Sequence, residues 1–358
     1  SGTDYPEDFG TTCERSLLRR AEDTHVEKLY DFAPGLGVAW IEAHFPRSYL
    51  DANRDTTEVD PDMLDAPWPE PVATDPAVLS KVRLGKGLIW RCTDEGVPLY
   101  QRKLGVAEVR TRIERCWRPY HAAVEQAIAG ARYVLLGETH SNGDHHRLQG
   151  EMITALAGAG RRPTVVFEMI GADYADKLAG YLAGPDATAE GFGAAVDWEK
   201  RGWPEWKLYQ PIVEAALGAG LPMRAGDVAR DTQRTVGKEG LAALGERAAA
   251  LGLDRPLEQP LADALLDELF QSHCELVPRE AMTPMAGVQR LRDAAMADAM
   301  IAADGDGAVL ITGGEHARLD RAVPWYLRAR AGEAAIVSVR FMEVEPAETD
   351  PAEYVTRD

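Results

Sequence analysis

Tyr133-Val-Leu-Leu-Gly-Glu-Thr-His140 is a short apolar run that stops at a glycine and passes into a carboxylate and an imidazole. A run of this length bounded by glycine reads as a buried strand. A helix is predicted over residues 144–159, and a second strand, Thr164-Val-Val-Phe167, follows it. Further strands are predicted at 221–225, at Gly307-Ala-Val-Leu-Ile-Thr312 and at 335–341, each separated from the last by helix-compatible sequence. Strands alternating with helices imply an α/β fold: a mainly parallel sheet with helices on both faces. Such sheets bind ligands beyond the carboxyl ends of their strands.

Upstream, residues 1–105 are rich in Pro, Asp and Trp, with turn-prone stretches such as Asp60-Pro-Asp62 and Pro67-Trp-Pro69. This reads as a smaller, incomplete α/β segment with long loops. From Val106 to Ala129, Val109, Ile113, Cys116, Trp117 and Tyr120 recur at helical spacing, and Pro119 is expected to kink or divide that helix.

The 358 residues, 45% of them hydrophobic, suffice for two cores. A formal charge of −19 disfavours nucleic acid and anionic lipid as partners. Four cysteines without C-x-x-C or zinc-finger spacing argue against a disulfide framework and a structural thiolate site, and they fit a reducing compartment. No window approaches 18 consecutive apolar residues, so no transmembrane segment is expected; nor is a signal peptide seen ahead of the first domain. Cytoplasmic localisation is the default expectation. The sequence opens at Ser1 without a methionine, so upstream sequence is expected to have been either processed away or never included.

Three predicted strand ends carry ligand-capable side chains: Leu136-Gly-Glu-Thr-His140, Val166-Phe-Glu168 and Ile311-Thr-Gly-Gly-Glu-His316. Parallel strands bring these ends together, and Gly137-x-x-His140 and Gly313-x-x-His316 repeat one spacing. Glu and His there supply metal ligation or proton transfer; strand-end histidines that hold loops are the alternative. Of the adjacent His145 and His146, at most one can face the same site. His146 is favoured, against two solvated residues at a helix start. His273 reads as a hydrogen-bonded structural histidine. Arg290 and Arg292 share a helix, where one of them either aims into the cleft to pair with a carboxylate or propionate or forms a surface salt bridge. Trp198, Trp203, Trp206 and Tyr209 form a dense aromatic cluster, suited to a flat apolar partner or to docking a helix on the core.

The stretches Leu136–Gln149, Val166-Phe-Glu-Met169, Trp198–Pro211, Ser272-His-Cys274, Arg292-Asp-Ala-Ala-Met296 and Gly313-Gly-Glu-His-Ala-Arg318 resemble, in order, the ChaN-like proteins. The resemblance covers residues 132–345 and leaves 346–358 as a tail. It implies haem as cofactor, bacterial iron uptake or haem handling, cell-envelope association, and a homodimer with haem at its interface. It also implies a tyrosine axial ligand with histidine nearby, since tyrosinate is a hard donor for ferric iron; Tyr209 is the tyrosine chosen. His140, His146, Arg292 and His316 would complete the haem site. The paired motifs, with a Glu between them and an Arg, are also similar to the wider superfamily of Tiki-type metalloproteases and erythromycin esterases. That likeness implies an alternative, a hydrolase in which Glu138 or Glu168 is the base and His140 and His316 hold a divalent metal such as zinc.

Ser1-Gly-Thr-Asp-Tyr-Pro6, Arg19–Val26, Phe45–Arg54, Tyr100–Leu104 and Pro119-Tyr-His-Ala122 resemble N-formylglutamate amidohydrolases over residues 1–128. The resemblance implies a zinc-dependent amidase in which Glu22 is a metal ligand and Arg54 a clamp for substrate carboxylate. The family's histidine immediately before Ser-Gly is not in this sequence, and its later Asp-Cys-His is replaced by Val134–His140. A catalytic zinc site normally takes three protein ligands, so this part is expected to be an inactive remnant.

Overall fold

The computed structural model describes residues 2–21, 41–74 and 76–341. They divide into two compact units, one up to Ala127 and the other from Ile128 onward. Glu22 lies outside the described residues.

In the second unit, β1 (Tyr133–Glu138), β2 (Thr164–Gly171), β3 (Met223–Asp227), β4 (Ala308–Gly313) and β5 (Ile336–Arg340) form one sheet of order β3-β2-β4-β1-β5. Every pairing is parallel. β1, β2 and β4 are buried along their whole length, as a sheet covered on both faces requires. Tyr133, Leu135, Val166, Ala308 and Leu310 join one core with Leu291, Met296, Met300 and Leu327. Alternate residues point the other way, and there Phe167 meets Phe192, ring centroids 5.9 Å apart. The third strand starts two residues later than its sequence predicts. Pro222 has no N–H for the ladder, although its carbonyl still accepts from Val165 N at 2.8 Å.

Five helices frame the site: α1 (Gly143–Gly158), α2 (Trp206–Gly218), α3 (Arg230–Glu239), α4 (Thr283–Ile301) and α5 (Val323–Ala331). Asn142 caps α1, its side chain accepting from the backbone N–H of Asp144 and of His145.

In the first unit, extended segments meet only as isolated bridges among the described residues, for example Leu64 with Leu104 and Cys92 with Pro98. Phe9, Tyr49, Leu50, Leu88, Trp90, Leu99 and Leu104 build its core against Val109 and Ile113. The expected kink at Pro119 takes a particular form. Helical residues Val106–Arg112 run into a π-helical turn, Ile113–Trp117, before Arg118–Ala129 resumes. Pro119 has no N–H to give the carbonyl of Arg115, and Arg118 N donates five residues back to Ile113 O.

Candidate functional site

The ladder between β2 and β4 ends at the pair Phe167 and Ile311. One residue on, the Glu168 side chain replaces it. Glu168 Oε2 accepts from Gly313 N and from Thr312 Oγ1, both at 2.7 Å, while Oε1 accepts from Arg292 Nη2 at 2.7 Å. Arg292, on α4, also donates through Nε to Asp227 Oδ2 at 2.7 Å. His316 Nε2 lies 3.4 Å from Glu168 Oε1, and its Nδ1 meets Asp293 Oδ1 at 2.6 Å. Burial alone would raise the Glu168 carboxyl, but His316 and Arg292 hold it well below the usual range. Burial likewise opposes charge on His316; Glu168 and Asp293 outweigh it and push the imidazole up to about 10. This is a chain of buried charges that is neutralised from within.

A second group forms at the end of β1. Glu138 Oε1 accepts from Tyr209 Oη at 2.7 Å and from His140 Nδ1 at 2.9 Å. His146 Nε2 sits 2.9 Å from Glu138 Oε2 but is not aligned for a hydrogen bond. Its ring packs on Tyr209, centroids 3.9 Å apart. Burial pushes Glu138 up, and the two histidines bring it below its ordinary value. His140 is the member that reaches solvent. Its side chain is 33% exposed, its ring stands edge-on to Trp203 at 4.8 Å, and its Nε2 lies 3.9 Å from Glu168 Oε1.

The two glycines of the repeated motif have a reciprocal function. A Cβ on Gly313 would meet His140 Nε2 at 2.9 Å, and one on Gly137 would meet Ala317 Cβ at 2.9 Å and Gly314 Cα at 3.0 Å. Each motif's glycine makes room for the turn of the other.

His140, His316, Glu138, Glu168 and Arg292 are thus gathered in one region, as the parallel topology predicts. The structure sets aside one alternative and corrects two readings. His145 and His146 are not solvated: both are buried, and His145 Nδ1 accepts from Thr139 N at 3.0 Å. Tyr209 is fully buried with its phenol turned to Glu138; burial and that carboxylate raise its pKa and hold it as the neutral phenol. Neither Glu138 nor Glu168 is placed as a free base, since the oxygens of Glu168 are taken by three donors and, against burial, the neighbouring histidines and Arg292 lower both carboxyls and weaken them as proton acceptors. Among the described residues, no group of three His, Cys, Asp or Glu side chains is placed to hold a metal. Of the two arginines on α4, Arg292 turns to the site and Arg290 donates to Tyr326 Oη at 3.0 Å. His273 is exposed, with Nδ1 2.8 Å from Leu269 O. Trp198 and Trp206 belong to the core, leaving Trp203 at the cleft. In the first unit, Arg54 Nη1 lies 3.5 Å from Glu58 Oε2.

Asp227, Asp293 and Gln149 are site residues that sequence reasoning passed over. Gln149 is fully buried and donates to Leu136 O at 2.8 Å. The available signal for Asp293 was a carboxylate amid Leu291, Ala294, Ala295 and Met296, the apolar face of a helix.

The family described as haem-binding uptake, Tiki superfamily, ChaN matches residues 124–327, and the family described as N-formylglutamate amidohydrolase matches residues 1–196. Each match spans more than half of the 358 residues. The chain belongs to both families. Among ChaN structures, one described as cofacial heme binding to ChaN of Campylobacter jejuni is similar at 18% identity and a TM-score of 0.52, covering 64% of this chain and 88% of that one. That likeness is one of fold. On the amidohydrolase side, the N-formylglutamate deformylase of Pseudomonas aeruginosa is 28% identical over 188 residues, 50% of this chain and 60% of the relative. The N-formylglutamate amidohydrolase structure from Ralstonia eutropha JMP134 is 46% identical over 38% of this chain and 49% of its own, with a TM-score of 0.32. The chain therefore spans only part of these amidohydrolase relatives, 60% of the length of the first and 49% of the second. No helix among the described residues is long and apolar enough to cross a membrane.

Proposed function

We propose that the C-terminal unit binds haem, with His140 as the side chain that reaches the iron. The observation carrying this is the state of that imidazole. Its Nδ1 is fixed by Glu138, and its Nε2, at a partly exposed position beside Trp203, has no hydrogen-bond partner among the described residues. Ligating histidines are characteristically held in this way, one nitrogen on a carboxylate and the other presented. Bound haem iron would supply a Lewis-acid centre to Nε2, displacing the proton that, against burial, Glu138 and Glu168 favour on this ring. Tyr209 and His146 support Glu138 from behind, while Arg292 and His316 neutralise Glu168. A role in haem handling or iron acquisition follows from this reading, with a homodimer as the assembly that would cover the exposed ring. We further propose that the N-terminal unit is not a working deformylase, because Val134–His140 stands where the family's later ligand strand would lie.

Haem titration of the full chain, followed in the Soret region, tests the first proposal. Saturable binding, weakened at least tenfold in His140→Ala and retained in Tyr209→Phe, is expected. Loss of a tyrosinate charge-transfer band in Tyr209→Phe would instead make Tyr209 the ligand, and no saturable binding would end the haem reading. For the second proposal, zinc-loaded chain should release no formate from N-formylglutamate; sustained turnover would reverse it.

A further inference from the structure

A cavity of about 260 Å³ opens beside Glu168, with Tyr174, Arg201, Trp203, Arg230 and Arg292 among its walls. Its cations are not equivalent. The Arg292 guanidinium is spent on Glu168 and Asp227, and Lys200 is paired with Asp197 at 2.9 Å. Arg201 and Arg230 have no ion-pair partner within 4.0 Å among the described residues. Arg201 donates through Nη2 to Met169 O and stands over the Tyr174 ring at 4.3 Å, yet its Nη1 is buried without an acceptor. Arg230 donates to Arg201 O at 3.3 Å. Burial lowers the Arg201 pKa, and Tyr174 and Asp173 offset that only in part. The lining carboxylate left to face these two guanidiniums is Asp173, which is exposed.

Two guanidiniums without an ion-pair partner among the described residues, in a chain of net charge −19, are a recognition device for an anion. Asp173 cancels part of their charge, so a singly charged group fits better than a phosphate dianion. The volume lies just below the roughly 300–1,000 Å³ of pockets that enclose drug-sized ligands; it suits a small acid, or the charged edge of a larger molecule.

We propose that this cavity is a carboxylate-binding site, in which Arg201 and Arg230 grip the carboxylate and Tyr174 and Trp203 line the carbon body behind it. The carboxylate is either that of a free small acid or a haem propionate, and the site stands whether or not haem binds.

The full chain is titrated by calorimetry with glutarate and with inorganic phosphate, and spectroscopically with haem and with haem dimethyl ester, in wild type, Arg201→Gln and Arg230→Gln. Arg230 is exposed, so its replacement leaves a folded protein to compare. Saturable glutarate binding, weakened at least tenfold in both variants, supports the site and names a free acid. Haem binding weakened at least tenfold, with the dimethyl ester unaffected, supports it and names a propionate. Affinities for glutarate and haem that change less than twofold in both variants overturn the proposal, as does phosphate binding as tightly as glutarate. Absence of haem binding alone defeats only the haem reading, because the glutarate arm still decides this one.

Discussion

Asp293 Oδ1 lies 2.6 Å from His316 Nδ1, both side chains buried, and this contact aims His316 Nε2 at Glu168. The imidazole titrates near 10 in the folded chain, above its ordinary 6.5. Its charge therefore contributes stability that is complete below about pH 6.5 and is lost as pH rises through about 10. The urea midpoint should fall across that window. Asp293→Asn should bring the titration of His316 down, read by histidine NMR, and shift the loss of stability to lower pH. A native His316 titrating near 6.5 would show that the pair does not hold the proton.

Arg292→Met leaves Glu168 and Asp227 buried without their shared cation. Breaking a buried pair costs roughly 3–5 kcal/mol, and chemical denaturation at pH 7 should show a loss of that order. Glu168 has a depressed pKa, so its contribution is present above about pH 4.5 and is lost as pH falls through the lower folded value. Adding Glu168→Gln to Arg292→Met should recover part of the stability, most visibly above pH 5.

Gly313→Ala tests the reciprocal packing of the two motifs. Gly313 has φ −63° and ψ 151°, a backbone that alanine adopts freely, so any effect comes from contact with His140. Overpacking of this kind costs typically about 1–3 kcal/mol. A lowered melting temperature with a displaced His140 NMR resonance is expected, and an unchanged His140 signal would count against the contact.

Arg112 is fully buried in the first unit. It donates to Tyr49 O at 3.1 Å, Phe9 O at 3.0 Å, Tyr100 Oη at 2.7 Å and Glu108 Oε1 at 2.7 Å. Only a planar fork can serve these acceptors together, so Arg112→Lys should destabilise the unit about as much as Arg112→Met, by roughly 3–5 kcal/mol. Hydrogen exchange at Leu50, Leu99 and Leu104 should accelerate while that at Leu135 and Leu310 does not.

The sheet was legible because its strands are apolar runs punctuated by Gly, Glu and His, and parallel topology then required the ends at His140, Glu168 and His316 to meet. The sequence could not show which atoms would be spent. Tyr209 carries the right chemistry for iron, but its hydroxyl is consumed by Glu138, a partner 71 residues away. Arg292 was expected to hold a ligand's carboxylate and holds two of the protein's own. Arg201 lay inside the aromatic stretch and Arg230 at the start of α3, on segments with no periodicity to link them, so only the folded chain brings the two together.

Glu168 continues the join between β2 and β4 with its side chain after the backbone ladder has stopped. The cleft is therefore a seam in the sheet, and the residues that border it also hold the sheet shut. A substitution here that abolishes binding cannot by itself be counted as a lost contact, because the same change loosens the fabric around it. Conversely, any ligand drawn into the cleft tightens that seam, so occupancy should be readable as resistance to unfolding even before its chemistry is known.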